Sequence, residues 1–139
     1  APSSVMAITT TVLERGNRGF PYYANNGIRL REGRYLNDRG FLYNLARHEI
    51  AHAMGFGQSS AFYRLCSNGA QGGLFLGRAA RGEAPGVPLY VTDGGHWERT
   101  GPLILDVMAT VRSSALVTRI TLGAFEDLGY EVDYGMAIR

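Results

Sequence analysis

Among the 139 residues of this chain, the stretch His48-Glu49-Ile50-Ala51-His52-Ala53-Met54-Gly55-Phe56-Gly57 constrains the possible structures most. If residues 48–52 are helical, His48 and His52 fall one turn apart on one face, and both imidazoles can reach a single metal ion at about 2.0–2.1 Å. Glu49 is offset by roughly 100° around the axis, so its carboxylate lies beside such an ion and can reach a water bound there. The flanking sequence supports the helix. From Asp38 to Met54, Phe41, Leu45, His48 and His52 step along one stripe, and Leu42, Ala46, Ile50 and Ala53 along a second. The pattern predicts a helix apolar on two faces and mostly buried, in which two histidines and a glutamate require partners. Gly55, three residues past His52, is placed to end the helix in a left-handed cap and turn the chain away from the metal.

The pattern His-Glu-x-x-His is that of a zinc peptidase helix, although a short motif of this kind also arises on solvated amphipathic helices. A catalytic zinc takes three protein ligands and leaves a fourth position open. The chain has three histidines, so His96 is the remaining imidazole. Cys66 is the other soft donor. As the single cysteine it excludes an intramolecular disulfide, and its plainer reading is a small buried thiol.

Length and composition fit one globular domain with a core of its own, 45% hydrophobic and 19% charged. No run approaches the roughly 18 apolar residues of a membrane span. The start, Ala1-Pro2-Ser3-Ser4, lacks the charged-then-apolar pattern of a signal peptide, so the chain reads as a processed protein or a fragment. The net charge of +2 rests on arginine alone, since there is no lysine. Those arginines are scattered from Arg15 to Arg139, which argues against a nucleic-acid surface.

In chain order, Val5–Leu13 is rich in Val, Ile and Thr and predicts a strand. Glu14–Gly19 predicts a turn, Phe20–Ala24 an extended segment, and Asn25-Asn26-Gly27 a second turn. Ile28–Arg31 alternates apolar and charged residues as a half-exposed strand does. It is either an edge bordering a cleft, to which a peptide adds by backbone pairing, or a plain surface hairpin. Gln58–Tyr90, with many glycines, reads as a long irregular connection holding one short element near Ala61–Leu65 or Leu74–Leu76. In Thr118–Tyr130, Ile120, Ala124 and Leu128 recur at helical spacing, and Gly129 is a cap candidate.

Three motifs taken together resemble a known family. His-Glu-x-x-His-x-x-Gly-Phe at 48–56, Gly-His-Trp-Glu at 95–98 and Asp-Val-Met-Ala at 106–109 look like the leishmanolysin-like branch of the metzincin zinc peptidases. Most metzincins place the third histidine a few residues past the helix glycine, where this chain has Gln58. The leishmanolysin-like branch inserts a segment there, and Gly57 to Gly95 fits such an insertion. The resemblance spans roughly Asn37 to Tyr134. It implies an α+β fold in one catalytic domain, 1–139. A small N-terminal sheet and the zinc helix would form 1–57. An irregular subdomain at 58–139 would carry the third ligand and Met-turn and end in a helix within Ser113–Tyr134. It implies that His48, His52 and His96 bind Zn²⁺, that Glu49 is the general base, and that Met108 forms the turn beneath the metal, with Gly55 closing the helix. In another zinc-peptidase class a glutamate on a downstream helix is the third ligand, which makes Glu126 the alternative to His96; the Met108 turn favours His96.

The implied activity is a zinc-dependent endopeptidase acting on a peptide or protein substrate in an extracellular setting. Phe56, Trp97 and residues 110–117 would line the pocket beside its cleft. Only 47 residues precede His48, which is short for the N-terminal half of such an enzyme. A domain that holds zinc and binds peptides without cutting them is the alternative. A metal-free structural domain is the reading in which the histidines are incidental. The oligomeric state is left open by the sequence.

Overall fold

The structure, a computed structural model, describes residues 7–15, 20–28, 38–92 and 94–137. It is a small α+β arrangement of four helices and a two-stranded antiparallel sheet, with a second, very short strand pair.

Strands β1 (Ala7–Arg15) and β2 (Phe20–Ile28) form the sheet, paired from Ala7 opposite Ile28 to Arg15 opposite Phe20, and they lie against the first helix. Glu14 and Arg15, expected to open a turn, are instead the last paired residues of β1, and the rest of that expected turn, 16–19, lies outside the described residues. The turn expected at Asn25-Asn26-Gly27 does not form; these residues sit inside β2 opposite Thr10, Thr9 and Ile8. The β-branched residues Ile8, Thr9 and Thr10 offer these positions a ladder partner, before the register shifts between Thr10 and Leu13, and that pairing outweighs a local turn preference. The strand expected at Ile28–Arg31 lies outside the described residues except for Ile28, the last residue of β2.

Helix α1 (Arg39–Ala53) carries the motif. Asp38 caps its start, its carboxylate accepting from the Phe41 amide at 2.8 Å and from the Ser113 hydroxyl at 2.6 Å. The far end closes as expected. Gly55 adopts φ 118°, its N–H donates to the His52 carbonyl at 3.0 Å and the Phe56 N–H to the Ala51 carbonyl at 3.0 Å, the paired bonds of a Schellman cap. Burial of α1 is narrower than the two-stripe pattern predicts. Leu45, His48 and His52 are buried, but Ile50 is 54% and Tyr43 63% exposed. The second apolar stripe is only half-buried at Leu42, Ala46 and Ala53 and exposed at Ile50, because C-terminal elements pack on the histidine side.

The segment expected to be an irregular connection is instead folded throughout. It holds α2 (Ser60–Tyr63), β3 (Gly73–Leu74), α3 (Arg78–Gly82) and β4 (Tyr90–Val91), with β3 and β4 paired antiparallel. Its buried side chains, among them Phe62, Cys66, Phe75, Ala80 and Leu89, form one cluster with Phe56, Trp97 and Phe125. Phe56 sits 4.6 Å from Phe62 and 5.1 Å from Trp97 between ring centroids, and Phe75 5.4 Å from Trp97. Each such ring contributes roughly 2–3 kcal/mol of apolar transfer. The many glycines therefore mark close turns around an aromatic core, not a loose loop.

Helix α4 (Arg119–Asp127) completes the fold, capped by Thr118 at its start and by Gly129 in a second Schellman pair at its end. It is shorter than the Ser113–Tyr134 span, and its predicted stripe of Ile120, Ala124 and Leu128 is buried. Asp127 accepts from the Ala79 and Ala80 amides at 2.7 and 3.0 Å, tying α4 to the start of α3. No helix among the described residues is long and apolar enough to cross a membrane.

Candidate metal centre

Two separate pieces of chain bring the histidines together. His48 and His52 come from one face of α1, and His96 from the turn after β4. Two glycines make that meeting possible. Gly57 (φ 68°), just past α1, and Gly95 (φ 78°), next to His96, touch backbone to backbone. A β-carbon on Gly95 would lie 2.4 Å from the Gly57 carbonyl oxygen, and one on Gly57 would lie 2.1 Å from that of Gly95. The inserted segment thus leaves the helix end and returns to it, and His96 is delivered beside His52.

The three Nε2 atoms form a nearly equilateral triangle, with 3.1 Å between His48 and His96, 3.1 Å between His48 and His52, and 3.2 Å between His52 and His96. The ring tautomers are set from behind. His48 Nδ1 lies 2.8 Å from the Val107 carbonyl oxygen and His52 Nδ1 2.7 Å from that of Phe56. A carbonyl oxygen only accepts, so each Nδ1 carries the proton and each neutral ring turns a bare Nε2 lone pair inward. Bare lone pairs at this separation repel one another in a buried site, and a cation between them removes the repulsion. The spacing fits. A tetrahedral ion about 2.0–2.1 Å from each nitrogen holds its ligand atoms about 3.3 Å apart. Backbone carbonyls behind the ligands are the outer partners that metal-binding imidazoles use for orientation. His48, His52 and His96 therefore make up a buried group that could hold a metal ion.

Electrostatics favour the binding-competent form. Burial first, and the neighbouring His48 second, push the His52 pKa down to about 3 and that of His96 to about 4. Both rings are neutral near pH 7, as a metal ligand must be. Glu49 is 4% exposed, and its carboxylate oxygen lies 3.6 Å from His48 Nε2, beside the triangle.

The other sequence candidates fall elsewhere. Glu126 is exposed and accepts from the Tyr134 hydroxyl at 2.6 Å. Cys66 is buried in the aromatic core, its thiol 3.7 Å from the Phe62 carbonyl oxygen and its pKa pushed up to about 11 by burial. Neither belongs to the three-histidine group. Phe56 and Trp97, expected to line a pocket, are 0% and 1% exposed and belong to the core, since both rings find aromatic neighbours there. Residues 110–117 run beside the start of α1, where the Asn44 amide donates to the Arg112 and Ser113 carbonyls at 2.8 and 3.2 Å. Met108 is fully buried, next to the Val107 carbonyl that holds His48, and its own carbonyl accepts from the Trp97 amide at 3.0 Å.

One residue of this region stands in a sequence motif, Asp-Val-Met-Ala, that assigns it no role of its own. Asp106, 0% exposed, accepts from the Met108 amide at 2.7 Å, the Thr118 hydroxyl at 2.5 Å, the Thr121 hydroxyl at 2.7 Å and the Thr118 amide at 3.3 Å. Desolvation raises its pKa although these donors act the other way. Thr121 also accepts from the Trp97 indole at 2.9 Å, so a buried chain of hydrogen bonds connects the residue after His96 to the turn behind His48. An aspartate inside the apolar run Leu103–Ala109, at the head of that motif, is the signal in the sequence that could have disclosed its buried role.

Scans against protein-family models, curated proteins and solved structures find no match for this chain.

Proposed function

We propose that the chain is a zinc-dependent endopeptidase of metzincin type, with His48, His52 and His96 as the ligands and Glu49 as the general base. The observation that carries this reading is the triangle of inward-facing Nε2 atoms with a buried carboxylate 3.6 Å from one corner. Three neutral imidazoles and one neighbouring acid form the donor set of a hydrolytic zinc site, because they leave the ion's charge unquenched and one position open. A zinc held there would polarise a peptide carbonyl and make water acidic enough to deprotonate near neutral pH.

The chain's own residues supply the rest. Glu49 takes the proton from the attacking water and delivers it to the departing amine, a task its place beside the ligand triangle suits. The Val107 and Phe56 carbonyls keep His48 and His52 in the tautomer that presents Nε2. Met108 and the buried Asp106 hold the turn from which the Val107 carbonyl projects. The metzincin resemblance carried by the three sequence motifs supports the same reading.

Cleavage of a mixed peptide library by the zinc-loaded chain tests the proposal. Turnover that stops with chelator, returns with zinc, and falls by about 10²–10⁴-fold in a Glu49→Gln variant that still binds zinc supports it. Zinc binding without any cleavage would overturn the peptidase reading and leave a peptide-binding domain. A Glu49→Gln variant with wild-type turnover would remove the role given to Glu49.

A further inference from the structure

The segment between Gly57 and Gly95 does more than return the chain to His96. On its outer side, α3, β3 and the stretch leading into β4 enclose a groove of ≈ 640 Å³, walled by Leu76, Pro85, Val87 and Pro88. Leu76 and Val87 are 47% and 39% exposed, large apolar groups left facing solvent. Two guanidinium groups, Arg78 and Arg81, line the same groove one helical turn apart. Neither has an ion-pair or hydrogen-bond partner among the described residues, and none of the described residues lining the groove is acidic. The nearest acid in sequence, Glu83, is committed elsewhere, accepting from Arg119 at 2.9 and 3.0 Å.

We infer that this groove is a docking site for an extended polypeptide segment in which acidic and apolar side chains alternate. The occupant follows from charge complementarity. Paired cations beside an apolar wall favour a ligand with carboxylates on one edge and hydrocarbon on the other, and guanidinium binds carboxylate in a two-pronged geometry. An extended chain places same-side groups about 6.6–6.8 Å apart, close to the spacing of residues one helical turn apart. Two cations in a proline-walled hollow make a poor nucleic-acid track, and a concave surface makes a poor membrane contact. The groove's inner wall continues through Tyr90 into Val91, which bridges to Trp97 beside His96, so a docked segment lies on the wall that carries the third histidine. The inference does not depend on hydrolysis at the metal centre.

Fluorescence anisotropy tests it on the full metal-free chain, which removes turnover from the experiment. The probes are a short fluorescein-labelled peptide alternating glutamate with leucine and its counterpart alternating glutamine with leucine. The acidic peptide should bind at least about tenfold more tightly, and the preference should shrink with added salt. R78Q combined with R81Q should abolish the preference and leave the far-ultraviolet circular dichroism unchanged, since both residues are exposed. Val87→Ser should weaken both peptides alike. Equal binding of the two peptides, an unaltered preference in the double variant, or tighter binding of phosphatidylserine vesicles or a single-stranded RNA than of the acidic peptide would each overturn the proposal.

Discussion

Replacing Gly95 by alanine separates what the fold requires at that position from what the metal centre requires. The substitution imposes two costs. At φ 78° an alanine occupies the left-handed region at roughly 1–2 kcal/mol. Its β-carbon would also meet the Gly57 carbonyl oxygen at 2.4 Å, where no packed carbon approaches closer than 3.0 Å. The two backbones must then part by at least about 0.6 Å, and in a close-packed interior strain of this kind adds a further ~1–3 kcal/mol. His96 is the next residue, so the same displacement pulls its Nε2 away from a partner now 3.2 Å distant. Gly69→Ala is the control, since Gly69 has φ 56° and open space around it and incurs the first cost alone. Urea unfolding of the metal-free proteins should show Gly95→Ala losing about 2–5 kcal/mol and Gly69→Ala about 1–2 kcal/mol. Competition with a chromophoric chelator should show zinc affinity reduced about 10–100-fold in Gly95→Ala and unchanged in Gly69→Ala. Equal stability losses together with intact zinc affinity in Gly95→Ala would refute the claim that the glycine contact places the third histidine.

Asp106→Ala should cost at least about 3 kcal/mol, because it leaves the Met108 amide and both threonine hydroxyls without their buried acceptor, and the loosened Trp97 should shift its fluorescence to longer wavelength; a mild loss with an unshifted spectrum would contradict the role given to that carboxylate. Stability of the metal-free chain should depend on pH in a definite sense. Desolvation, with His48 second, holds His52 at about 3 and His96 at about 4, whereas the unfolded chain takes up these protons near 6.5. The stability is fully present above about pH 6.5 and falls as pH drops toward 4, so the melting temperature should decline across that window, and a flat profile would argue against neutral buried imidazoles. Cys66, with its thiol pushed up to about 11, should react with an alkylating reagent at pH 8 far more slowly in the folded than in the urea-unfolded chain; equal rates would place it outside the core.

The pairing of His48 with His52 was readable from residue spacing because a helix converts four positions into one turn, so His48, Glu49 and His52 had only one arrangement to adopt. The Gly55 and Gly129 caps were readable for a similar reason, each following a run of helical periodicity. His96 was reachable only by counting histidines and matching motifs, since its approach depends on the contact of Gly57 with Gly95 across the inserted segment. That segment's fold was hidden because its elements are only two to five residues long, below the length at which periodicity speaks. Asn25-Asn26-Gly27 misled because a local turn signal carries no information about the strand opposite it. The two-stripe pattern of α1 overstated its burial because apolar residues such as Ile50 also occur on exposed faces.

Isothermal titration of the metal-free chain with zinc, alongside His96→Ala and Glu126→Gln, addresses the three-histidine centre directly. The geometry predicts about one zinc per chain, an affinity lowered at least about 100-fold by His96→Ala, and no change in Glu126→Gln. Absence of stoichiometric binding, or wild-type affinity in His96→Ala, would contradict a metal centre built from His48, His52 and His96.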